Sequence, residues 1–594
     1  MSLISPIREF DLLRSAYEQE FDSIAERFTD TFRGFLTGGY RMKYIGWSPY
    51  RKLNYTKTDG LYVVMYDNLG TTALITKDAE HEEETREEPV YSYPGNLTRV
   101  LIVGAGAGPQ VRFFAGRADS IVAVELDPLV VDFALSHADE APYLRAPGVN
   151  YLAQEGLSYL KSHPGPYSLI LYPLTDSFIA SSMQSLVKAE NYLYTVEGLR
   201  AAVSALDETG LLLIHLAESM NEYGVRDGID GFPTVAVHAY RNLLGLGIDQ
   251  RNVMVVTARR EAGRAVFVLY EPGGVNRGRL LDLLSNEPQL SVLTDSERFL
   301  RMASTSAGTT NDRPFFYIPG RIPPAPVREA ATFLLLTSLG AILLVVRRAH
   351  RNGAFSGLDR SSVGQLVAYA ACTGYGFMTV ETVLIQRIVP VFGAPYLAGT
   401  VVITAMLLGA GLTSFLLGFR RTPLPARTLK PLLAVTVLVI LSLPALTEAV
   451  SESMISRTLP GRIAICCGLF LPLGLLLGVP FPSLLERARA KGSAHVVLAY
   501  ATDVSFAIVG IVVSLVLPIV TGYAVLFYLA AAAYAGILVI VFRSGAGARG
   551  RSAELRDGSH SAVAWWDHSR DERSRRSHVL CCESLTSTGV LDDT

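Results

Sequence analysis

Apolar residues run along this chain in three rhythms. Over residues 1 to about 45, Phe10, Leu13, Ala16, Phe21 and Ile24 recur at roughly helical spacing and predict a helix. The stretch KLNYTKTDGLYVVMYDNLGTTALIT then alternates and carries turn residues at Asp59-Gly60 and Asp67-Asn68, the pattern of a small antiparallel β unit. From Arg99 short apolar runs alternate with helical stretches. Strands are predicted at 100–103, 120–124, 149–153, in YSLILY and at 210–215, with helices at 109–115, 128–136, 156–161 and 196–206. That alternation implies a parallel sheet with helices on both faces, whose ligands sit beyond the carboxyl ends of the strands. NVMVVTARR and AVFVLYE read as a late hairpin.

The third rhythm is longer. From about Ala330 to Phe542 the chain is mostly apolar, with roughly seven spans at 330–346, 363–385, 397–419, 431–450, 462–483, 496–520 and 523–542. About twenty apolar residues cross a bilayer core, so the first span is the shortest candidate. A proline-rich connection, TNDRPFFYIPGRIPPAPVREA, leads into this part, and a Gly-, Ser- and Arg-rich tail that reads as disordered follows it. The predicted division is 1–98, 99–325, 330–543 and 544–594, in a multi-pass protein of the cell membrane.

Composition narrows the function classes. The chain has 594 residues with 53 Lys+Arg against 55 Asp+Glu, so nothing suggests a nucleic-acid partner. Mean hydropathy is +0.29, and the excess sits in the C-terminal half. Of five cysteines, Cys372, Cys466 and Cys467 lie in apolar runs and Cys581 and Cys582 in the tail, none at metal-ligand spacing. The acidic stretch KDAEHEEETREEP reads as a solvated face, and the N-terminal residues lack the apolar core of a signal peptide.

The candidate chemistry begins at RVLIVGAGAGPQ. Gly104, Gly106 and Gly108 allow a sharp turn and close approach of a ligand, and Pro109 suits the first helical position. In SIVAVELDP, Glu125 ends the next strand and Asp127 follows two residues on, where a carboxylate accepts both hydroxyl hydrogens of a ribose. Gln154 and Glu155 end the third strand, within reach of an adenine amino group. A dinucleotide loop needs a third glycine where Pro109 stands, so an S-adenosyl pocket fits better than a nicotinamide one. The alternative is a tight turn without ligand and a solvating strand-end charge.

These residues resemble the spermidine synthase family. SPYRKL, MYDNLGTTALIT, VLIVGAGAG, VELDP, YSLILYPLTDS and LYTVEGLRAAVSALDETGLLLIH carry the likeness over roughly residues 45 to 216. TDSFIASS, AENYLYTVEGLR, NDRPFF, GFMTVETVLIQRIVPVFGAPY and GVPFPSLLERA extend it to that family's multi-pass membrane relatives, to about residue 540. The resemblance implies an α/β, Rossmann-like fold of the S-adenosylmethionine-dependent methyltransferase type, with a small N-terminal β unit and an all-α membrane domain. It implies S-adenosylmethionine or its decarboxylated form as ligand. Membrane lipids are expected partners; a polyamine substrate and a homodimeric state are left open.

Departures fall on one side of that site. The loop acid that holds the amine end of the ligand in the family is Ala107 here, and the acid that orients and deprotonates the attacking amine is Pro173. A proline side chain accepts no proton, so base catalysis from that position is lost. The family's Gln of the SPYRKL motif is Arg51, and the second acid of the later loop persists as Asp176, read either as a catalytic acid or as a turn residue.

In the apolar half, arginines and lysines follow spans one, three, five and seven. The positive-inside rule sets those loops in the cytoplasm and the α/β region outside it, at odds with a cytosolic cofactor. Glu381 and Asp503 lie within spans two and six, where carboxylates are costly and mark either packing pairs or a cation path. Gly409, Gly411, Gly474, Gly478 and Pro480 suit close helix contacts or a broken helix. Two readings follow: a membrane-bound transferase with a depleted polyamine site, or a transporter or sensor whose synthase-like domain is non-catalytic.

Overall fold

The computed structural model describes residues 43–557 apart from internal stretches, the longest being 80–88, 175–188, 219–231 and 352–359. The helix expected before residue 43, Arg51, the Asp67-Asn68 turn, the acidic stretch, Asp176 and the last residues of the tail lie outside the described residues.

Strands β1 (Lys43–Trp47), β2 (Lys52–Thr58), β3 (Leu61–Tyr66) and β4 (Gly70–Ile75) form the expected small antiparallel sheet, in that order. It docks through Glu140, which accepts from the Lys57 ammonium at 2.6 Å and the Tyr62 hydroxyl at 2.7 Å. Those two donors hold the Glu140 carboxyl below its usual range.

The second sheet is built from β5 (Arg99–Val103), β6 (Ser120–Glu125), β7 (Val149–Ala153), β8 (Tyr167–Pro173), β9 (Leu206–Glu218), β10 (Val253–Arg260), β11 (Gly263–Tyr270) and β12 (Ser291–Val292). Its order is β12-β10-β11-β9-β8-β5-β6-β7. Strands β5 to β9 pair in parallel, whereas β9, β11, β10 and β12 are joined antiparallel, so the late hairpin extends a parallel core. Residues 100–103 are buried on both faces, which explains their unbroken apolar run. The chain winds outward from β5 in one direction through β6 and β7 and in the other through β8 and β9. The crevice beyond β5 and β8 is therefore a topological switch point. Helices α1 (Pro109–Phe114), α2 (Pro128–Ser136), α3 (Gly156–Ser162), α4 (Val196–Ser204), α5 (Thr234–Leu244), α6 (Arg277–Leu283) and α7 (Glu297–Thr305) complete this α/β region.

The C-terminal half is all helical: α8 (Ala325–Arg351), α9 (Arg360–Phe392), α10 (Pro395–Gly418), α11 (Ala426–Ser453), α12 (Leu459–Leu477), α13 (Pro480–Arg489), α14 (Ser493–Thr521) and α15 (Ala524–Asp557). Six segments among the described residues are long and apolar enough to cross a membrane, with mean hydropathy of 2.0 to 2.6. One of them, Leu459–Arg489, is α12 and α13 joined across the break at Gly478. The remaining expected span, 363–385, second in chain order, falls in α9, which is surrounded by other helices and carries Glu381, Gln386 and Arg387. Phe333, Leu344, Phe415 and Leu438 are exposed, as lipid-facing side chains would be. Cys466 is buried as a small hydrophobe.

Glycines set the α10–α12 contact. A Cβ on Gly474 would lie 2.4 Å from the Met406 carbonyl oxygen, and one on Gly409 2.3 Å from that of Leu471. Gly411, in contrast, meets nothing. The end of α9, the end of α14 and the start of α15 meet the α/β region, at Gly393, Ile519 and Ala524; chain direction then puts Arg347, Arg348, Arg351, Arg360, Arg427, Lys430, Arg487 and Lys491 at the ends away from it, where Lys491 bonds Ser362. Helix α15 runs on to Asp557, past the expected start of the tail at 544.

Candidate functional site

Beyond β5 the chain turns through Gly104, Gly106 and Gly108 with φ of 76°, 56° and 91°, the left-handed region that glycine tolerates. A Cβ on Gly106 would lie 2.2 Å from the Thr72 hydroxyl oxygen. That same hydroxyl accepts from the Ala107 amide at 2.9 Å. The small sheet is thus seated on the glycine loop through β4.

Glu125 closes the loop from the other side. It accepts from the Gly106 amide at 3.0 Å and from the Asp127 amide at 3.1 Å. A carboxylate offers about four lone-pair sites, and these two amides fix its orientation at the loop. Asp127 caps α2 by accepting from the Leu129 amide at 3.0 Å, and accepts from the Ser48 hydroxyl at 2.7 Å. The Tyr151 hydroxyl donates to the Gly106 carbonyl.

Gln154 and Glu155 have separate fates. The Gln154 amide donates to the Glu125 carbonyl, which holds its strand end beside the loop. Both carboxylate oxygens of Glu155 cap α3, accepting from Leu157 at 3.0 Å and Ser158 at 2.7 Å. The cap gives Glu155 a structural role at the start of α3, beside the adenine contact expected of it and of Gln154.

The amine-facing half has no acid among the described residues at its two key positions. Ala107 is fully buried with only a methyl to offer. Pro173 ends β8 in register with His215 of β9, and Leu174, with φ of 40°, donates its amide to the His215 carbonyl. Asp176 lies outside the described residues. His215 itself escaped the sequence reading. Its buried ring shares a hydrogen bond with the Tyr91 hydroxyl at 3.0 Å and lies 4.7 Å from the Phe267 ring. The signal was a histidine at the carboxyl end of a strand neighbouring the one that ends in Pro173.

Glu381 and Asp503 stand apart from this edge, in α9 and α14. The edge nevertheless meets the helices: a Cβ on Gly393, just after α9, would lie 2.7 Å from Leu126 and 3.5 Å from the Glu155 side chain. Arg387 donates to the Asn311 carbonyl at 3.3 Å, to Asp312 at 3.4 Å, to the Thr447 hydroxyl at 3.3 Å and to the Pro444 carbonyl at 3.3 Å. Asp312 in turn caps α15 through the Ala524 amide at 2.9 Å, and Arg313 donates to the Ile519 carbonyl near the end of α14 at 3.4 Å. A cavity of about 50 Å³ lies at this junction, lined by Glu155, Lys161, Asn311, Arg387, Glu448 and Glu452 among others. At ~15 Å³ per water that volume corresponds to a few waters.

No family model matches the chain. Among curated proteins it is similar to the polyamine aminopropyltransferase of Clostridium perfringens, 31% identical over 121 residues, which are 20% of this chain and 40% of that protein. The enzyme of the same name from Thermococcus onnurineus is 24% identical over 169 residues, 28% of this chain and 56% of that one. The chain thus spans 40% of the length of the first curated relatives it matches. Among solved structures, spermidine synthase from Thermotoga maritima matches at 20% identity and a TM-score of 0.30, covering 40% of this chain and 74% of that one. A probable spermidine synthase from Corynebacterium glutamicum matches at 13% identity and 0.32, covering 45% and 95%. The likeness noted in the motifs is therefore also a likeness of sequence to named polyamine aminopropyltransferases.

Proposed function

We propose that the chain is a membrane-bound, spermidine synthase-like transferase that takes an S-adenosyl ligand, either S-adenosylmethionine or its decarboxylated form. The observation that carries this reading is Glu125, fixed by the Gly106 and Asp127 amides beside the glycine loop at a switch-point crevice. In this reading Gly104, Gly106 and Gly108 let the backbone approach the ligand, Glu125 orients its ribose and Gln154 reaches its base. When bound, the ligand supplies an electrophilic carbon next to a sulfonium. Asp176 is the acid assigned to the reacting end.

Aminopropyl transfer to a polyamine is the weaker form of this proposal. A charge-assisted hydrogen bond contributes roughly 1.5–3 kcal/mol, and Ala107 and Pro173 forgo one each. Methyl transfer asks less of the protein at those positions. Calorimetry on the purified full-length chain with each ligand form tests the reading. Binding that is weakened in Glu125→Gln, with that variant's fold checked by circular dichroism, supports it, and binding of neither form overturns it.

A second reading, a non-catalytic sensor domain on a membrane protein, is favoured by the basic helix ends. They lie away from the α/β region, which the positive-inside rule then sets outside the cytoplasm. A cysteine at exposed Glu208, probed with a membrane-impermeant maleimide on intact cells, separates the two. Labelling favours the sensor; protection favours the transferase.

A further inference from the structure

Helices α9 and α14 run parallel and touch through glycines. A Cβ on Gly374 of α9 would lie 2.0 Å from the Asp503 carbonyl oxygen and 3.1 Å from the Ala507 nitrogen of α14. Further along, a Cβ on Gly510 would lie 2.7 Å from the Tyr375 carbonyl oxygen and 3.1 Å from the Thr379 hydroxyl. Both numberings rise together, and the Lys491–Ser362 bond joins the two helices' starting ends.

A seven-residue step returns a helix to nearly the same face. One such step beyond the Gly374–Ala507 contact stand Glu381 on α9 and Ser514 on α14. Glu381 is 6% exposed and Ser514 2%. The Glu381 Oε2 and Ser514 Oγ atoms are buried and have no hydrogen-bond partner among the described residues. Asp503, on the same face of α14 as Ser514, also has a buried carboxylate oxygen without a partner. It is level with Gly374, roughly 10 Å along the seam from Glu381 at ~1.5 Å per residue. The cation nearest in sequence, Arg387, is engaged instead with Asp312, Thr447 and backbone carbonyls. An ionised carboxylate in such a place is costly unless something positive accompanies it.

We propose that Glu381 and Ser514 form an intramembrane site for one small monovalent cation, a proton or an alkali-metal ion, with Asp503 as a second station on the same seam. Carboxylate and hydroxyl oxygens are the hard donors that such cations take. The exchange is simple: Glu381 binds the cation on arrival and is left as a bare carboxylate on its departure, with no other bond changed. This site is independent of the S-adenosyl reading, since it uses no residue of the glycine-loop edge.

The test is modification of the full-length protein in detergent by dicyclohexylcarbodiimide, an apolar reagent that reacts with protonated carboxyls, read by mass spectrometry of the peptide holding Glu381. Glu381→Gln sets the background. If a proton is the occupant, labelling falls at least tenfold with rising pH and ignores salt. If an alkali ion is the occupant, labelling at fixed pH also falls when sodium or potassium chloride replaces choline chloride at equal ionic strength. A Glu381 that stays unmodified throughout, or is modified equally at every pH and salt, overturns the proposal. Because the wild-type chain carries the decisive reading, the test does not depend on a variant folding.

Discussion

Glu125 and Glu381 are buried to the same degree, each 6% exposed, in the two halves of one chain. Around Glu125 the backbone supplies two amide donors, from Gly106 and Asp127. Around Glu381 the helical backbone has already spent its donors on its own ladder, and Oε2 is left without a partner among the described residues. The difference teaches that burial alone does not decide what a carboxylate is for. A loop with left-handed glycines turns its amides outward and makes a carboxylate a structural pivot. A helix turns them inward and leaves the carboxylate dependent on something mobile.

Breaking the pivot should have the largest effect. Glu125→Ala leaves two amides without their acceptor, at roughly 1–3 kcal/mol each, so the α/β region should lose about 2–6 kcal/mol in denaturant unfolding of the full-length chain. A loss below ~1 kcal/mol would erase the contrast with Glu381. His238 is an intermediate case, with one ring nitrogen bonded to the Phe316 carbonyl at 2.7 Å and the other without a partner. Burial pushes its pKa down from 6.5 to about 4. The unfolded chain therefore gains a proton below about pH 6.5 that the folded chain refuses until about pH 4. Stability is full above that window and falls through it, by on the order of 3 kcal/mol. His238→Gln should flatten this acid slope in melting temperatures recorded against pH.

A smaller loss is expected from Asp312→Ala, which removes the cap on α15 and one partner of Arg387. A lost cap costs about 0.5–2 kcal/mol, readable as earlier thermal unfolding of the helical half by circular dichroism. The smallest effect belongs to Glu381→Gln, which exchanges an unaccompanied carboxyl for a neutral amide. Its melting temperature should match the wild type or exceed it slightly. A destabilisation of ~2 kcal/mol or more would mean that Glu381 is a pivot after all.

How much of this could be read from the sequence follows from distance along the chain. The glycine loop, Glu125 and the α2 cap by Asp127 are local, and the strand–turn–helix pattern announces them. The Ser48–Asp127 and Thr72–Ala107 bonds were not legible, because they join segments 79 and 35 residues apart. The cap by Glu155 was only half legible, because a carboxylate just before a helix suits both a ligand and a cap, and the fold shows it accepting from Leu157 and Ser158. His215 was hidden inside an apolar strand. In the helical half, hydropathy found the apolar segments but could not show that α9 differs from the rest by being enclosed. That enclosure is what lets it carry Glu381, Gln386 and Arg387.

Asp312 and Arg313 have a consequence for modularity. They belong to the α/β half, yet one caps the start of α15 and the other serves a carbonyl near the end of α14. The obvious place to divide the chain, the proline-rich connection before α8, falls after both residues. A helical half cut there would lose its own end-caps to the discarded piece, and a grafted replacement would have to bring them back. The two halves are thus not interchangeable beads on a string, because the boundary in sequence is not the boundary in hydrogen bonds.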